Sequence, residues 1–223
     1  MISISGKKWL EYKVNKNLIE KIKQDFNFNE ILSKLILSRN YDIKEINSIN
    51  NNLKFTNIFI NNSDFIKASD ILINTIKKKE KICILGDYDV DGASATSLLI
   101  RYFNYIKQEY FYYIPNRETD GYGASTLLFQ RLIKQKPKLI IMVDCGSTSR
   151  EAIDYLNQNS IKSIIIDHHE IAKPYPKSNV IINPKKKTDY SEYDYLCATT
   201  LTYFFIDKVI QKTKSKFKLS EFL

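Results

Sequence analysis

The sequence predicts an α/β fold: a mainly parallel sheet flanked by helices, preceded by a helical N-terminal segment. Three observations predict it. Short apolar runs of the length of buried strands recur in the second part of the chain, at Ile82–Leu85, Leu139–Val143 and Ile161–Ile166. Stretches of helical spacing separate them, and strands alternating with helices favour a parallel sheet covered on both faces, with right-handed crossovers. From about residue 17 to 79 the pattern is helical.

Taken in order, Leu18, Ile19 and Ile22, then Ile31, Leu32, Leu35 and Ile36, recur at spacings of three and four. Ser63 and Asp64 open a further helix through Ala68 to Ile76. The cluster Lys77-Lys78-Lys79-Glu80-Lys81 ends it, placed favourably against a helix C-terminal dipole. Ile82–Leu85 then reads as a buried strand closed by Gly86, followed by a helix from about Ala93 to Lys107. Tyr110–Ile114 is a strand stopped by Pro115. Next come a helix near Ser125–Lys134, the strand Leu139–Val143, a helix at Ser149–Asn157 and the strand Ile161–Ile166. Val180–Ile182 is a candidate further strand, and Leu196–Ile210 is apolar and helical. There is no internal repeat.

With 223 residues, 43% of them hydrophobic, the chain can bury one good core and carry an appendage. Its apolar runs are far too short to span a bilayer. The start, Met1-Ile2-Ser3-Ile4-Ser5-Gly6-Lys7-Lys8, has neither an apolar signal region nor a small-residue cleavage site. The expectation is a cytoplasmic protein with no membrane partner. Cys83, Cys145 and Cys197 are odd in number and widely spaced, which argues against a disulfide framework or a zinc knot; Cys83 reads as a small core residue. The net charge of +9 suits a polyanion, but usage rich in Lys, Asn and Ile accounts for it as well.

Three of the strands run into acidic or imidazole residues. Ile82–Leu85 leads to Gly86-Asp87-Tyr88-Asp89-Val90-Asp91-Gly92, Leu139–Val143 to Asp144-Cys145-Gly146, and Ile161–Ile166 to Asp167-His168-His169. Ligands of open parallel sheets sit beyond the carboxyl ends of the strands, so Asp87, Asp89, Asp144 and His168 can converge although the three strand ends lie far apart in sequence. Gathered carboxylates repel one another and resist ionisation unless a cation joins them. Oxygen ligands with one or two imidazoles suit Mn²⁺ or Mg²⁺, and less often Zn²⁺. Two such ions about 3.5–4 Å apart activate a water and stabilise the leaving oxygen of a phosphodiester. His168 and His169 are the chain's only histidines. Read blandly, each acid is a turn residue or helix cap. Asp91 stands between the two readings, as a ligand or as a partner of the turn through Gly92.

After the second strand lies Asn116-Arg117-Glu118-Thr119-Asp120-Gly121-Tyr122-Gly123. Its glycines permit tight backbone geometry, Arg117 can clamp a phosphate, and Asp120 reads as loop support. No dinucleotide fingerprint or P-loop is present, which disfavours a nucleotide cofactor.

The stretch Ile84–Gly92 resembles the first motif of the RecJ branch of the DHH phosphoesterases. Pro115-Asn116-Arg117 with Asp120–Gly123 resembles the second, Val143–Gly146 the third, and Asp167-His168-His169 the motif that names the superfamily. Trp9 and Ser38-Arg39-Asn40 resemble the N-terminal part of that branch. The resemblance implies a helical segment over residues 1–79 and a DHH phosphoesterase domain over 80–223. It implies a 5′-to-3′ exonuclease of single-stranded DNA, acting in recombination and repair with two divalent metal ions, Mn²⁺ or Mg²⁺. Carried over by position, Asp87, Asp89, Asp144 and His168 hold the metals, with Asp91 beside them. His169 contacts the scissile phosphate and Arg117 holds the strand. Lys and Tyr side chains supply charge and stacking for bases.

Two departures stand out. Leu196-Cys197-Ala198-Thr199-Thr200 lacks the glycine that leads into a helix in the family. The family's further metal-binding Asp has no counterpart before Leu223, since Glu221 is not an obvious substitute, so the expectation is an N-terminal portion of a longer enzyme. Two rivals remain. A DHH phosphodiesterase of short oligonucleotides or cyclic dinucleotides would place a His before the paired Asp motif, and none lies upstream of His168. A non-catalytic scaffold derived from RecJ would tend to lose the acids that this chain keeps.

Overall fold

A computed structural model of the chain describes residues 4–219, apart from residues 9, 11, 51–56, 117, 119, 121–123 and 187–190. Two compact units emerge, residues 1–56 and 57–223.

The first unit is helical. It holds α1 (Lys16–Phe26), α2 (Glu30–Ser38) and α3 (Ile43–Asn50). Asparagines start the first two: the Asn15 side chain accepts from Asn17 N and that of Asn29 from Leu32 N, each at 2.9 Å, satisfying amides that have no partner within the helix. Ile22, Ile36 and Ile46 meet in a small core of their own.

The second unit is the α/β domain. In chain order it comprises α4 (Ser63–Lys77), β1 (Ile82–Leu85), α5 (Val90–Tyr105), β2 (Tyr110–Tyr113), α6 (Thr126–Leu132), β3 (Leu139–Val143), α7 (Arg150–Gln158), β4 (Lys162–Ile166), β5 (Val180–Ile182) and α8 (Ala198–Thr213). All five strands are parallel, in the order β2-β1-β3-β4-β5. The strands are almost wholly apolar because both faces are covered. Their alternate side chains serve two cores. Ile82, Ile84, Leu139, Ile141 and Val143 face α4, α5 and α8, whereas Cys83, Leu85, Ile140 and Met142 face α6 and α7.

The sequence rhythm changes at residue 80, but the compact unit begins at residue 57. α4 is as helical as the segment before it, yet its Phe65, Ala68 and Leu72 are fully buried in the first of these two cores, and it packs on α8 and β5. Local periodicity reports helix; it does not report which core the helix joins.

The strand order creates a crevice. β1 and β3 are neighbours, but the helix after β1 covers one face of the sheet and the helix after β3 the other. Their carboxyl ends therefore diverge, which is where open α/β sheets bind ligands.

A candidate metal centre at the carboxyl edge of the sheet

Register brings the acids level. Leu85 pairs with Met142, Val143 with Ile166, and Ile166 with Ile182. The backbone bonds Asp144 N to Ile166 O and Asp167 N to Ile182 O, both 2.9 Å, continue that ladder past the strand ends. Asp144 thus stands at the centre of the edge, with the Asp87–Asp91 turn on one side and Asp167-His168-His169 on the other.

The turn after β1 is set by two glycines. A Cβ at Gly92 would lie 2.6 Å from the Asp87 nitrogen and carbonyl oxygen, so only glycine lets the first turn of α5 close onto the strand end. A Cβ at Gly86 would run into the Thr96 hydroxyl. Asp89 is the N-cap of α5 and accepts from Gly92 N at 2.9 Å. Asp87, buried, accepts from Tyr88 N at 2.7 Å. Burial pushes its carboxyl up, and the neighbouring Asp89 carboxylate adds to that.

Asp144 adopts φ 61°, an uncommon conformation for a side-chain-bearing residue, and is fully buried. Neither of its carboxylate oxygens has a hydrogen-bond partner. Burial, with Asp91 and Asp89 beside it, pushes this carboxyl up to about 8. His168 Nε2 lies 3.3 Å from Asp144 Oδ1 and His169 Nδ1 3.8 Å from it. One ligand atom from each of Asp144, His168 and His169 falls within 4.8 Å of the others. Buried acceptors are almost always satisfied, and a carboxylate left bare between acids and imidazoles has the donor chemistry of a divalent-cation site. The residues present fit such an ion.

His169 is held from behind. Its Nδ1 lies 2.8 Å from Asp167 Oδ1, and Asp167 also accepts from the amides of His168, His169 and Ser147. The bond to Asp167 raises the His169 imidazole to about 9, with Asp144 and Asp87 adding to the rise. Burial pushes Asp167 up, but those hydrogen bonds more than offset it and hold the carboxyl at about 2. Asn183 completes the support, donating to Ser147 Oγ at 2.8 Å and to the His169 carbonyl at 3.0 Å. The sequence offered Asp167 as a helix cap in a polar loop and as the first residue of the Asp167-His168-His169 motif. Its adjacency to the two histidines was a signal that it orients one of them.

Asp91 is used differently from its neighbours. Its Oδ2 accepts from Ala198 N at 2.7 Å, and its Oδ1 from Thr199 N at 2.8 Å and from Thr199 Oγ1 at 2.6 Å. It therefore caps α8, whose own N-cap residue, Cys197, makes no side-chain cap bond. Burial raises Asp91, but the Thr199 and Ala198 bonds outweigh it and leave the carboxyl below its usual range. His168 Nε2 lies 3.5 Å from Asp91 Oδ2, so one carboxylate ties α5, α8 and the histidine pair together. The helix lead-in that lacks the family's glycine is the segment Asp91 grips. Asp91→Ala is expected to destabilise the chain by about 2–3 kcal/mol in urea denaturation, with Asn recovering part of the loss. An unchanged midpoint would remove this role.

Arg117 and the Gly121–Gly123 stretch lie outside the described residues, as do Trp9 and Glu221. The described part of the same loop is anchored by Asp120. The Tyr113 hydroxyl donates to it at 2.6 Å, Asn116 N at 3.0 Å, and Arg131 pairs with its other oxygen. The Tyr113 bond first, then those from Asn116 and Arg131, hold Asp120 down at about 2.

The model of the DHH family, N-terminal domain, matches residues 81–223. The chain belongs to the DHH family. Among curated proteins, this DHH chain is 25% identical over 184 residues to the single-stranded-DNA-specific exonuclease RecJ of Bacillus subtilis, covering 82% of this chain and 23% of that protein. It is 33% identical over 119 residues to the RecJ exonuclease of Escherichia coli, covering 53% and 21%. The chain thus spans about a quarter or less of the relatives it matches. RecJ of Thermus thermophilus, solved in complex with Mn²⁺, superposes with a TM-score of 0.66 at 17% identity, covering 90% of this chain and 28% of that one. That likeness is one of fold. Motifs, relatives and fold together make this a RecJ-type DHH N-terminal domain. Among the described residues no helix is long and apolar enough to cross a membrane.

Proposed function

We propose that this domain holds the two divalent ions, Mn²⁺ or Mg²⁺, of a 5′-to-3′ exonuclease that hydrolyses phosphodiester bonds of single-stranded DNA in recombination and repair. The observation that carries the reading is the buried Asp144 carboxylate, without a hydrogen bond, between Asp89 and His168 at the sheet's carboxyl edge. The names of the RecJ relatives and the Mn²⁺ found in a fold neighbour support it.

In this reading Asp87, Asp89, Asp144 and His168 are the ligands. Cations there would lower the pKa of the attacking water and neutralise charge on the departing oxygen. Asp167 occupies His169 Nδ1 at 2.8 Å, which in this reading leaves Nε2 to face a phosphate oxygen. Asp91 positions His168 and α8, and Arg117 clamps a neighbouring phosphate. Cytoplasmic residence goes with such a substrate.

The test is a thermal shift with Mn²⁺ beside hydrolysis of labelled single-stranded DNA. A hundredfold excess over Kd should raise Tm by about 5–10 °C. Asp89→Ala should lose both the shift and the Mn²⁺-dependent cleavage. A chain that Mn²⁺ does not stabilise would be a scaffold instead. Cleavage restricted to dinucleotides or cyclic dinucleotides would move the substrate to small phosphodiesters.

A further inference from the structure

The edge of the sheet opposite the candidate metal centre carries a second organised feature, and it is basic. The strands of the α/β domain begin here and the helices α4 to α8 end here. α4 delivers Lys78 and Lys79, the turn before β2 carries Lys107, that before β3 Lys136 and Lys138, and β4 starts at Lys162. All six side chains are exposed. The backbone laces these turns side by side: Lys138 N donates to Lys81 O at 2.9 Å and Lys162 N to Lys138 O at 3.1 Å. Gln108 ties the neighbouring turns by donating to the carbonyls of both Glu80 and Glu109 at 2.8 Å. The end of α8 joins the same edge, because Phe217 packs on Tyr102 and Tyr105 in the last turns of α5, ring centroids 5.5 and 5.2 Å apart.

The acids on these turns are Glu80 and Glu109, and Glu109 is already paired with Lys81 at 3.1 Å. Some positive charge is expected at helix C-termini, each worth about half a negative charge. Five such ends need roughly half of the six lysines named. The remainder is a surplus on one edge, while the carboxylates Asp87, Asp89, Asp91, Asp144 and Asp167 are gathered on the other. Lysines occur on other surfaces too, but Lys185 and Lys186, which follow β5 at the carboxyl edge, are taken up by Glu170 and Asp64 at 2.9 and 2.7 Å.

We infer that this amino-terminal edge is a second contact surface for the phosphate backbone of nucleic acid, separate from the strand end at the metal centre. It takes phosphates by charge, without base readout, and would hold a stretch of polynucleotide remote from the bond being cut. The inference does not rest on the hydrolytic reading, because it needs no metal and no turnover.

The test is binding of a labelled single-stranded oligonucleotide in EDTA, where no cleavage can occur, followed across a salt series. The variant is Lys79→Gln/Lys136→Gln/Lys138→Gln/Lys162→Gln. If each lysine meets a phosphate, the slope of log K against log salt should fall by about three, at roughly 0.7 per contact. The control neutralises four lysines of the N-terminal unit, Lys13, Lys16, Lys21 and Lys44. A loss confined to the edge variant supports the surface. Equal losses in both, or none in the edge variant, overturn it, since net charge alone or another face then accounts for the binding.

Discussion

Asp144→Asn is expected to make the metal-free chain more stable at neutral pH while abolishing its stabilisation by Mn²⁺ and any metal-dependent cleavage. The Asp144 carboxyl is buried without a hydrogen-bond partner, and burial, with Asp91 and Asp89 beside it, pushes it up to about 8 in the folded chain, against about 4 when unfolded. Between those values the unfolded chain has released the proton and the folded chain still holds it. The unfolded state then binds fewer protons, so stability falls as pH rises, by up to about 1.4 kcal/mol per pH unit from this group. Below about pH 4 the penalty vanishes, and above about pH 8 it is constant. Asparagine carries no such charge and should flatten that slope in urea denaturation. Mn²⁺ must displace the same proton, so its binding to the parent chain should strengthen as pH rises towards 8. If the parent shows no downward slope in EDTA, or the Asn variant still gains stability from Mn²⁺, Asp144 is not the centre of the site.

The second large effect is expected at Gly92. In a helix, Gly→Ala normally stabilises by about 1 kcal/mol. Here the sign should reverse. The added Cβ would sit 2.6 Å from the Asp87 backbone, against atoms that cannot rotate away. The clash should cost about 3 kcal/mol or more in urea denaturation. It should also push the Asp87–Asp89 turn off the crevice and weaken the Mn²⁺ thermal shift. Ala93→Gly, one residue along the same helix, should cost only about 1 kcal/mol and leave the shift intact. Parent-like stability in Gly92→Ala would show that the strand–helix junction is looser than the structure has it.

The two expectations share an origin in the parallel sheet. Strands buried on both faces leave no local use for polar side chains except at their ends. An acid there either caps the next helix, as Asp89 does, or faces the crevice, as Asp144 does. Asp89 does both, because its carboxylate also stands close enough to Asp144 to raise it.

By itself the sequence determined the strands, their alternation with helices and the grouping of acids and histidines at one edge. Ile82–Leu85, Leu139–Val143 and Val180–Ile182 form strands with the bounds read from their apolar runs, because a run bounded by turn residues records burial directly. Only the tertiary structure decided what each polar group touches. Asp91 looked like a ligand or a turn acid, and its partners Ala198 and Thr199 lie 107 and 108 residues away. Asp167 looked like a cap and instead holds His169 from behind. α4 read as part of the helical segment before it and joins the sheet's core. The reason is one of range. Periodicity and composition record whether a residue is buried along its own element. Which donor or core it meets there depends on the packing of elements far apart in the chain.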